Sequence, residues 1–331
     1  MRESSRVREM AADKLNFRVS GSDGCSSDVA VPQTSVHPQA SHLLRTPKLN
    51  LLSTLRFNFY NLYLITIEDT PTFILPNTIF GLSSALTPSL TNCTSHASPV
   101  TPLPRNLLLQ AVIHTLLFNW TNLLLFDLSN QRLTCAEDRL NKPWRPIPSG
   151  RMTAVTMRRW LICCIPLVLA YNHFILSTGG ETAVLIILTW CYNDLGGGDE
   201  NWLVRNGIIA CAFGGYNLGS LLRVSAGTLY PTSSLSPRMG VEVSHLGLTW
   251  TTLVSTVIFS TMHVQDMKDV AGDLAQGCRS LPIVYGRQVA GWSVAVPWWC
   301  GRLCVFSFGR RRGRWWWWAR WDWGFGLRGG V

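Results

Sequence analysis

The chain has 331 residues, 29 Lys and Arg against 19 Asp and Glu for a net charge of +10, and 47% apolar but only 15% charged residues. That length allows one large or two ordinary soluble domains, but the apolar residues cluster in blocks of near-spanning length, which excludes a soluble protein. Much of the positive excess lies in the last segment, so the charge is no nucleic-acid signal, and the ten scattered cysteines have neither metal-ligand spacing nor a disulfide framework.

Residues 1–50 are rich in Ser, Pro, Asp and Val without helical periodicity and read as a disordered tail. The first twenty residues mix acidic and basic side chains without an apolar core, unlike a cleaved signal peptide. Residues 51–67 are apolar and aromatic, as an interfacial helix ahead of the first span would be. Six apolar blocks follow, at 72–90, 107–126, 160–176, 183–191, 203–222 and 246–264. The block at 183–191 reaches spanning length only with 179–182 and Tyr192 included. Asn77, Asn119 and Asn122 interrupt the blocks, so the helices cannot all face lipid and an all-α, multi-pass bundle with a polar interior is expected.

The connections alternate. Those at 91–104, 177–181 and 223–242 carry little charge, whereas 127–159, 193–205 and 266–287 carry nearly all the rest. If each block crosses once, the charged connections emerge on one side. Arg132, Arg139, Lys142, Arg145, Arg151, Arg158 and Arg159 place that side in the cytosol by the positive-inside rule. The sequon Asn92-Cys93-Thr94 then falls on the opposite side. No signal chooses between the endoplasmic reticulum and a mitochondrial membrane.

Three segments of the charged side carry groups suited to chemistry. At the end of the second block, Asp127 and Gln131 stand at i and i+4 on one helical face, one turn beyond Asn122. Taken alone, this arrangement serves equally well as helix capping by Asp127 or Asn130. The following loop sets Lys142 and Arg145 among Pro143, Pro146 and Pro148, which forbid helix and suit rigid presentation of cations to a diphosphate. Farther on, Tyr192 and Asp194 flank a glycine run, Gly196–Gly198, that permits a tight turn. It lacks the lysine and hydroxyl residue of a phosphate-binding loop. After the sixth block, Asp266, Asp269 and Asp273 stand at i, i+3 and i+7, on one face of a helix. Three like charges on one stripe repel unless a cation lies among them, and hard oxygen ligands suit Mg²⁺ that also carries substrate phosphates.

The Asp127/Gln131 helix end, the run Asn141-Lys142-Pro143-Trp144-Arg145-Pro146-Ile147-Pro148-Ser149-Gly150, and Asp266-x-x-Asp269-x-x-x-Asp273 followed by Gly277-Cys278-Arg279-Ser280-Leu281-Pro282 resemble the UbiA family of intramembrane prenyltransferases. The resemblance runs from about residue 72 to 286, within a domain drawn at 51–290. It implies a helical bundle in which two acidic motifs hold Mg²⁺ and a prenyl diphosphate within the lipid bilayer. Asp127, Asp269 and Asp273 would act in catalysis. Asp266 would join them as a metal ligand. Asn122, Gln131, Lys142, Arg145, Tyr192 and Asp194 would contact substrate. The reaction so implied ionises the diphosphate and passes the prenyl group to an aromatic or other small-molecule acceptor; the alternatives are terpene cyclisation and a non-catalytic membrane protein. Aligned on Asp127, the family pattern Asn-Asp-x-x-Asp-x-x-x-Asp meets Leu123 and Leu124 at its opening pair and Gln131 at its last position. This reduced motif is similar to that of the secondary-metabolite branch, which includes membrane-bound terpene cyclases.

Family members continue with further spans, whereas here the sequence passes at about 291 into a Trp/Arg-rich tail ending at 331. One reading of the tail is an interfacial anchor. The preferred one is translated intron or shifted frame, with the natural C-terminal helices absent.

Overall fold

The computed structural model describes residues 51–93, 104–228 and 241–296. The expected N-terminal tail, most of the C-terminal one and Thr94 of the sequon lie outside these residues.

The expected bundle forms. Helix α1 spans Leu51–Thr66 and α2 Thr70–Leu86. They are followed by α3 at Arg105–Gln131, the short α4 at Cys135–Asn141, α5 at Ala154–Phe174 and α6 at Gly179–Asn193. Next come the one-turn α7 at Gly197–Glu200, then α8 at Trp202–Thr228, α9 at His245–Thr261, α10 at His263–Gln276 and the short α11 at Leu281–Tyr285. Among the described residues, three helices are long and apolar enough to cross a membrane: 105–131, 154–174 and 202–226. The protein is a multi-pass membrane protein. Large apolar side chains on α5, α6 and α9, such as Leu167, Ile187 and Leu253, point outward, as lipid contact requires. The 183–191 block is helical from Gly179 to Asn193, so the flanking residues do extend it.

Two devices hold the bundle. The first is a buried polar ladder: Asn119 donates to Thr78 Oγ1 on α2 (3.0 Å) and accepts from Ser220 Oγ on α8 (3.1 Å). Asn122 donates to the Phe118 carbonyl and to Thr182 Oγ1 on α6. Without water, amides in an apolar interior find partners on neighbouring helices, so Asn77, Asn119 and Asn122 face inward as expected. The second device is close approach at small residues. A Cβ on Gly81 of α2 would lie 2.8 Å from Ser220 Cβ on α8, and one on Gly219 would meet the Phe118 ring.

Two of the three lightly charged connections, 91–104 and 223–242, meet at the end of the bundle away from the acidic groups. There β1 (Thr91–Cys93) pairs antiparallel with β2 (Val241–Val243), with Asn92 opposite Glu242. Ser244 caps α9 and also donates to the Ser89 carbonyl at 2.6 Å. Three-residue strands leave no alternating pattern, and the sequence gives no sign of them. Residues 287–296 are helical, including the first six assigned to the tail by composition. Ser293 Oγ lies 2.7 Å from His263 Nε2 and ties this stretch to α10.

Gly81→Leu is expected to wedge α2 from α8 and to cost about 1–3 kcal/mol of stability. Thermal unfolding in detergent, followed by tryptophan fluorescence, should show a lowered midpoint; an unchanged midpoint would remove the close-approach account.

Candidate active site

All three charged connections converge on one end of the bundle. Their meeting starts from a fold the loop sequence does not advertise. Past α3 the chain turns at Asn130, whose carbonyl accepts from the amides of Leu133 and Thr134, and winds into α4. Glu137 and Asp138 fall in the first turn of α4, where the helix dipole favours negative charge. Helix α4 lies against α10 because position 272 is glycine: a Cβ there would sit 2.1 Å from Asn141 Nδ2 and 2.7 Å from Glu137 Cγ. Asn141 seals the contact by donating to the Asp269 carbonyl at 3.1 Å.

Two arginines organise the carboxylates. Arg145, almost fully buried, donates from Nη1 to Asp138 Oδ1 at 2.9 Å and from Nη2 to Asp69 Oδ2 at 3.1 Å. It thereby clamps α4 to the start of α2. Burial works against its charge, but Asp138, Asp69 and Asp127 outweigh burial and hold its pKa above the ordinary value. Asp138 still titrates above its usual range because burial exceeds the help from Arg145 and Lys142. On the other side, Arg205 of α8 donates to Asp266 Oδ1 at 2.9 Å, with its guanidinium carbon 5.6 Å from the centroid of the Tyr192 ring.

Between these clamps Glu137 and Asp273 face one another with no salt bridge of their own among the described residues, and Arg205 acts on both only from farther off. The Glu137 carboxyl is raised to about 7, by burial first and then by Asp273 and Asp138. Asp273 is raised to about 6 by burial, with Arg205 and the Ser280 hydroxyl partly offsetting and Asp266 and Asp269 adding to the rise. Carboxylate oxygens of Glu137 and Asp273 and the Cys278 Sγ lie within 4.8 Å of one another. Buried oxygens Asp127 Oδ2, Asp266 Oδ2 and Asp273 Oδ2 have no hydrogen-bond partner. Unpaired carboxylate oxygens gathered from two elements fit a divalent cation.

The expected site residues divide. Asp266 and Asp273 are buried in the site and Asp269 is half-buried beside them, while Asp127 is buried near Asp69 and Arg145. Lys142 stays half-exposed near Asp127 and Glu137. Arg145 serves as a clamp on carboxylates, because burial demands that its charge be paired. Gln131 donates to the Ile65 carbonyl at 2.8 Å and fastens α3 to α1. Asn122 belongs to the ladder described above. Tyr192 packs on Phe126, with ring centroids 5.4 Å apart. Asp194 pairs with Arg132 and accepts from Ser129 Oγ, which engages it in joining α6 to α3.

Asp69, Glu137, Asp138, Arg205 and Cys278 are the groups that the motif reading passed over. For Glu137 and Asp138 a signal existed. Started at Asn130 instead of at Leu123, the pattern Asn-Asp-x-x-Asp-x-x-x-Asp keeps its first and last members, Asn130 and Asp138, and has Gln131 and Thr134 between. That register brings the first motif against the second. The residues from 85 to 321 match the UbiA prenyltransferase family. The chain belongs to that family.

Among its relatives, the fumagillin β-trans-bergamotene synthase of Aspergillus fumigatus is 26% identical over 252 residues, covering 74% of each protein. A diterpene cyclase of Hericium erinaceus is 32% identical over 165 residues, 49% of this chain and 47% of that one. A polyprenyl transferase of the same fungus is 31% identical over 189 residues, 56% and 58% of the two chains. The UbiA protein described here therefore shares its family with both synthases and transferases.

The titration of the facing pair makes a prediction. Glu137 and Asp273 have folded-state values near 7 and 6, above the ordinary 4.5 and 3.8. The metal-free folded state therefore holds protons that the unfolded chain has released, and stability falls as pH rises from about 4 to 7. In detergent with a chelator, the unfolding midpoint should drop across that window, and Mg²⁺ should raise it again above about pH 7. A midpoint indifferent to Mg²⁺ at that pH would count against a cation between these carboxylates.

Proposed function

We propose that this UbiA protein is a membrane-embedded terpene cyclase. It ionises a prenyl diphosphate at the acidic end and closes the resulting cation on the same isoprenoid chain. The observation that carries the reading is a relay of aromatic rings running inward from the acids. Tyr192 and Phe126 stand 5.4 Å apart, Phe126 and Phe73 6.1 Å, and Phe73 and Phe213 4.7 Å, with Tyr216 5.9 Å from Phe73. Phe126 adjoins Asp127 in sequence, and the Phe73 amide bonds the Asp69 carbonyl one turn away. Ring faces stabilise a passing cation by about 0.5–2 kcal/mol each. Such rings would serve a migrating carbocation better than one captured at once by an acceptor.

A cavity of about 510 Å³ supplies the space, and of the five rings Phe213 lines it. Phe73, Phe126, Tyr192 and Tyr216 pack behind it around a gap of about 20 Å³, so they would act on a cation through Phe213 and by their field rather than by direct contact. The larger cavity lies between α2, α8 and α9, is bounded by Phe80, Phe213, Val254 and Ile258, and has Thr72 and Gln265 at the end next to Asp266. That volume falls within the roughly 300–1,000 Å³ usual for small-molecule sites, and its apolar walls suit an isoprenoid tail.

Glu137, Asp138, Asp266 and Asp273 would hold Mg²⁺, with Asp127 and Asp269 beside them; bound there, the ion would neutralise charge developing on the departing diphosphate. The allylic C–O bond breaks with its electrons leaving on the diphosphate. A double bond of the same chain then supplies the pair for the new C–C bond. The final cation discharges by losing a proton from a neighbouring carbon to the released diphosphate, whose oxygens are the base the reaction itself supplies. Arg145 and Arg205 keep their carboxylates aimed, so little reorganisation is needed as charge moves. Lys142, half-exposed at the rim, offers a further cation to the diphosphate. By the positive-inside argument, this end faces the cytosol.

Transfer to an acceptor is the competing reading, favoured by the polyprenyl transferase relative. Purified protein in detergent with Mg²⁺ and geranyl, farnesyl or geranylgeranyl diphosphate decides between them. Acceptor-free turnover to a hydrocarbon plus diphosphate is expected. Asp273→Asn should cut that rate roughly 100-fold, and Phe73→Leu should alter the product pattern more than the rate of diphosphate release. Diphosphate release that requires an added aromatic acceptor would overturn cyclisation in favour of transfer.

A further inference from the structure

The geometry points to a second cation specificity in the acidic pocket: Glu137, Asp273 and Cys278 form a mixed oxygen–sulfur site that takes a thiophilic divalent ion, Zn²⁺ or Cd²⁺, in preference to Mg²⁺. The backbone builds this juxtaposition. Helix α10 ends at Gly277, in the left-handed conformation (φ 81°) that a side chain would disfavour. The Gly277 amide bonds the Leu274 carbonyl at 3.2 Å, and the Cys278 amide bonds the Asp273 carbonyl at 2.9 Å. This paired closure is a Schellman motif. It returns Cys278 to the level of Asp273, five residues earlier, and fixes the thiol beside the carboxylate.

Two further observations point to a ligand. Asp273 is 2% exposed, and its Oδ2 is buried with no partner at hydrogen-bond distance, the Ser280 hydroxyl acting on this carboxylate from farther off. Cys278 is 5% exposed and donates to Asp199 Oδ1 at 3.0 Å, which brings a further carboxylate to the sulfur. Burial, Asp199 and Asp273 push its thiol pKa up, so binding at this sulfur must release the proton, a cost that an ion bonding thiolate strongly meets and Mg²⁺ does not. A tetrahedral ion with Zn–S near 2.3 Å and Zn–O near 2.0–2.2 Å sets its ligands roughly 3.5 Å apart. Atoms already within 4.8 Å reach that spacing by side-chain rotation on the order of 1 Å. Mg²⁺ gains nothing from the sulfur, whereas a soft thiolate selects zinc and its congeners.

The inference shares its pocket with the proposed reaction, so its test does not depend on turnover. Titrating the full-length protein in detergent with Cd²⁺ reads the cadmium–thiolate charge-transfer absorption. One tight equivalent is expected in the wild type, and Cys278→Ser should lose its band. Glu137→Gln keeps the thiol and should weaken that equivalent roughly tenfold or more. A Cys278→Ser protein that retains the band would assign it to another cysteine and overturn the proposal. Glu137→Gln supplies an independent arm if the serine variant does not fold; undiminished affinity there would overturn it equally. In an active preparation, Zn²⁺ should inhibit the Mg²⁺-supported reaction, and Cys278→Ser should raise the half-inhibiting concentration at least tenfold. Equal inhibition of both proteins would contradict the site while leaving the proposed function standing.

Discussion

The opposition of Glu137 and Asp273 across the α4–α10 contact is the constraint around which the charged end is built. Three of the carboxylates gathered there pair with a guanidinium: Asp69 and Asp138 share Arg145, and Asp266 holds Arg205. The facing pair makes no ion pair among the described residues and feels Arg205 only from farther off. Helix α4 is nonetheless pressed against α10 by the missing side chain at Gly272 and by the Asn141 hydrogen bond. Like charges held together by packing raise one another's proton affinity, and a divalent ion relieves them more fully than protons can.

The rest of the molecule follows from holding that charge at the edge of an apolar bundle. Asn119 and Ser220 fix α2, α3 and α8 with interhelical hydrogen bonds, and glycines let the helices approach closely enough to make them. Below the acids the interior changes from carboxylate to aromatic within one residue, at Asp127 and Phe126. A diphosphate and its isoprenoid tail have the same polarity gradient. On the proposed reading, the site would orient such a substrate by solvation before any specific contact is made.

The spans were readable because their apolar blocks approach bilayer thickness, and the inward faces because Asn77, Asn119 and Asn122 cannot point at lipid. The alternation of charged and uncharged connections correctly gathered the acidic groups at one end. Local detail escaped for physical reasons. Asp266, Asp269 and Asp273 read as the end of a long helix, yet the ladder changes at Met262, where the Gln265 amide bonds three residues back and α10 starts afresh. Arg145 reads as a phosphate ligand until burial commits it to Asp138 and Asp69. Cys278 carries no spacing signal, because its partners Glu137 and Asp273 come from separate elements. Asp69 stands outside every motif and joins the site through Arg145 and through its contact with Asp127.

Anomalous scattering from Mn²⁺ tests the central claim most directly. Crystals of the full chain grown with Mn²⁺ and a non-ionisable prenyl diphosphate analogue should give a peak at the manganese edge between α4 and α10. That peak should lie within about 2.5 Å of oxygens from both Asp273 and the Glu137–Asp138 pair. A manganese peak confined to other carboxylates, or none in this gap with the analogue bound, would contradict the account.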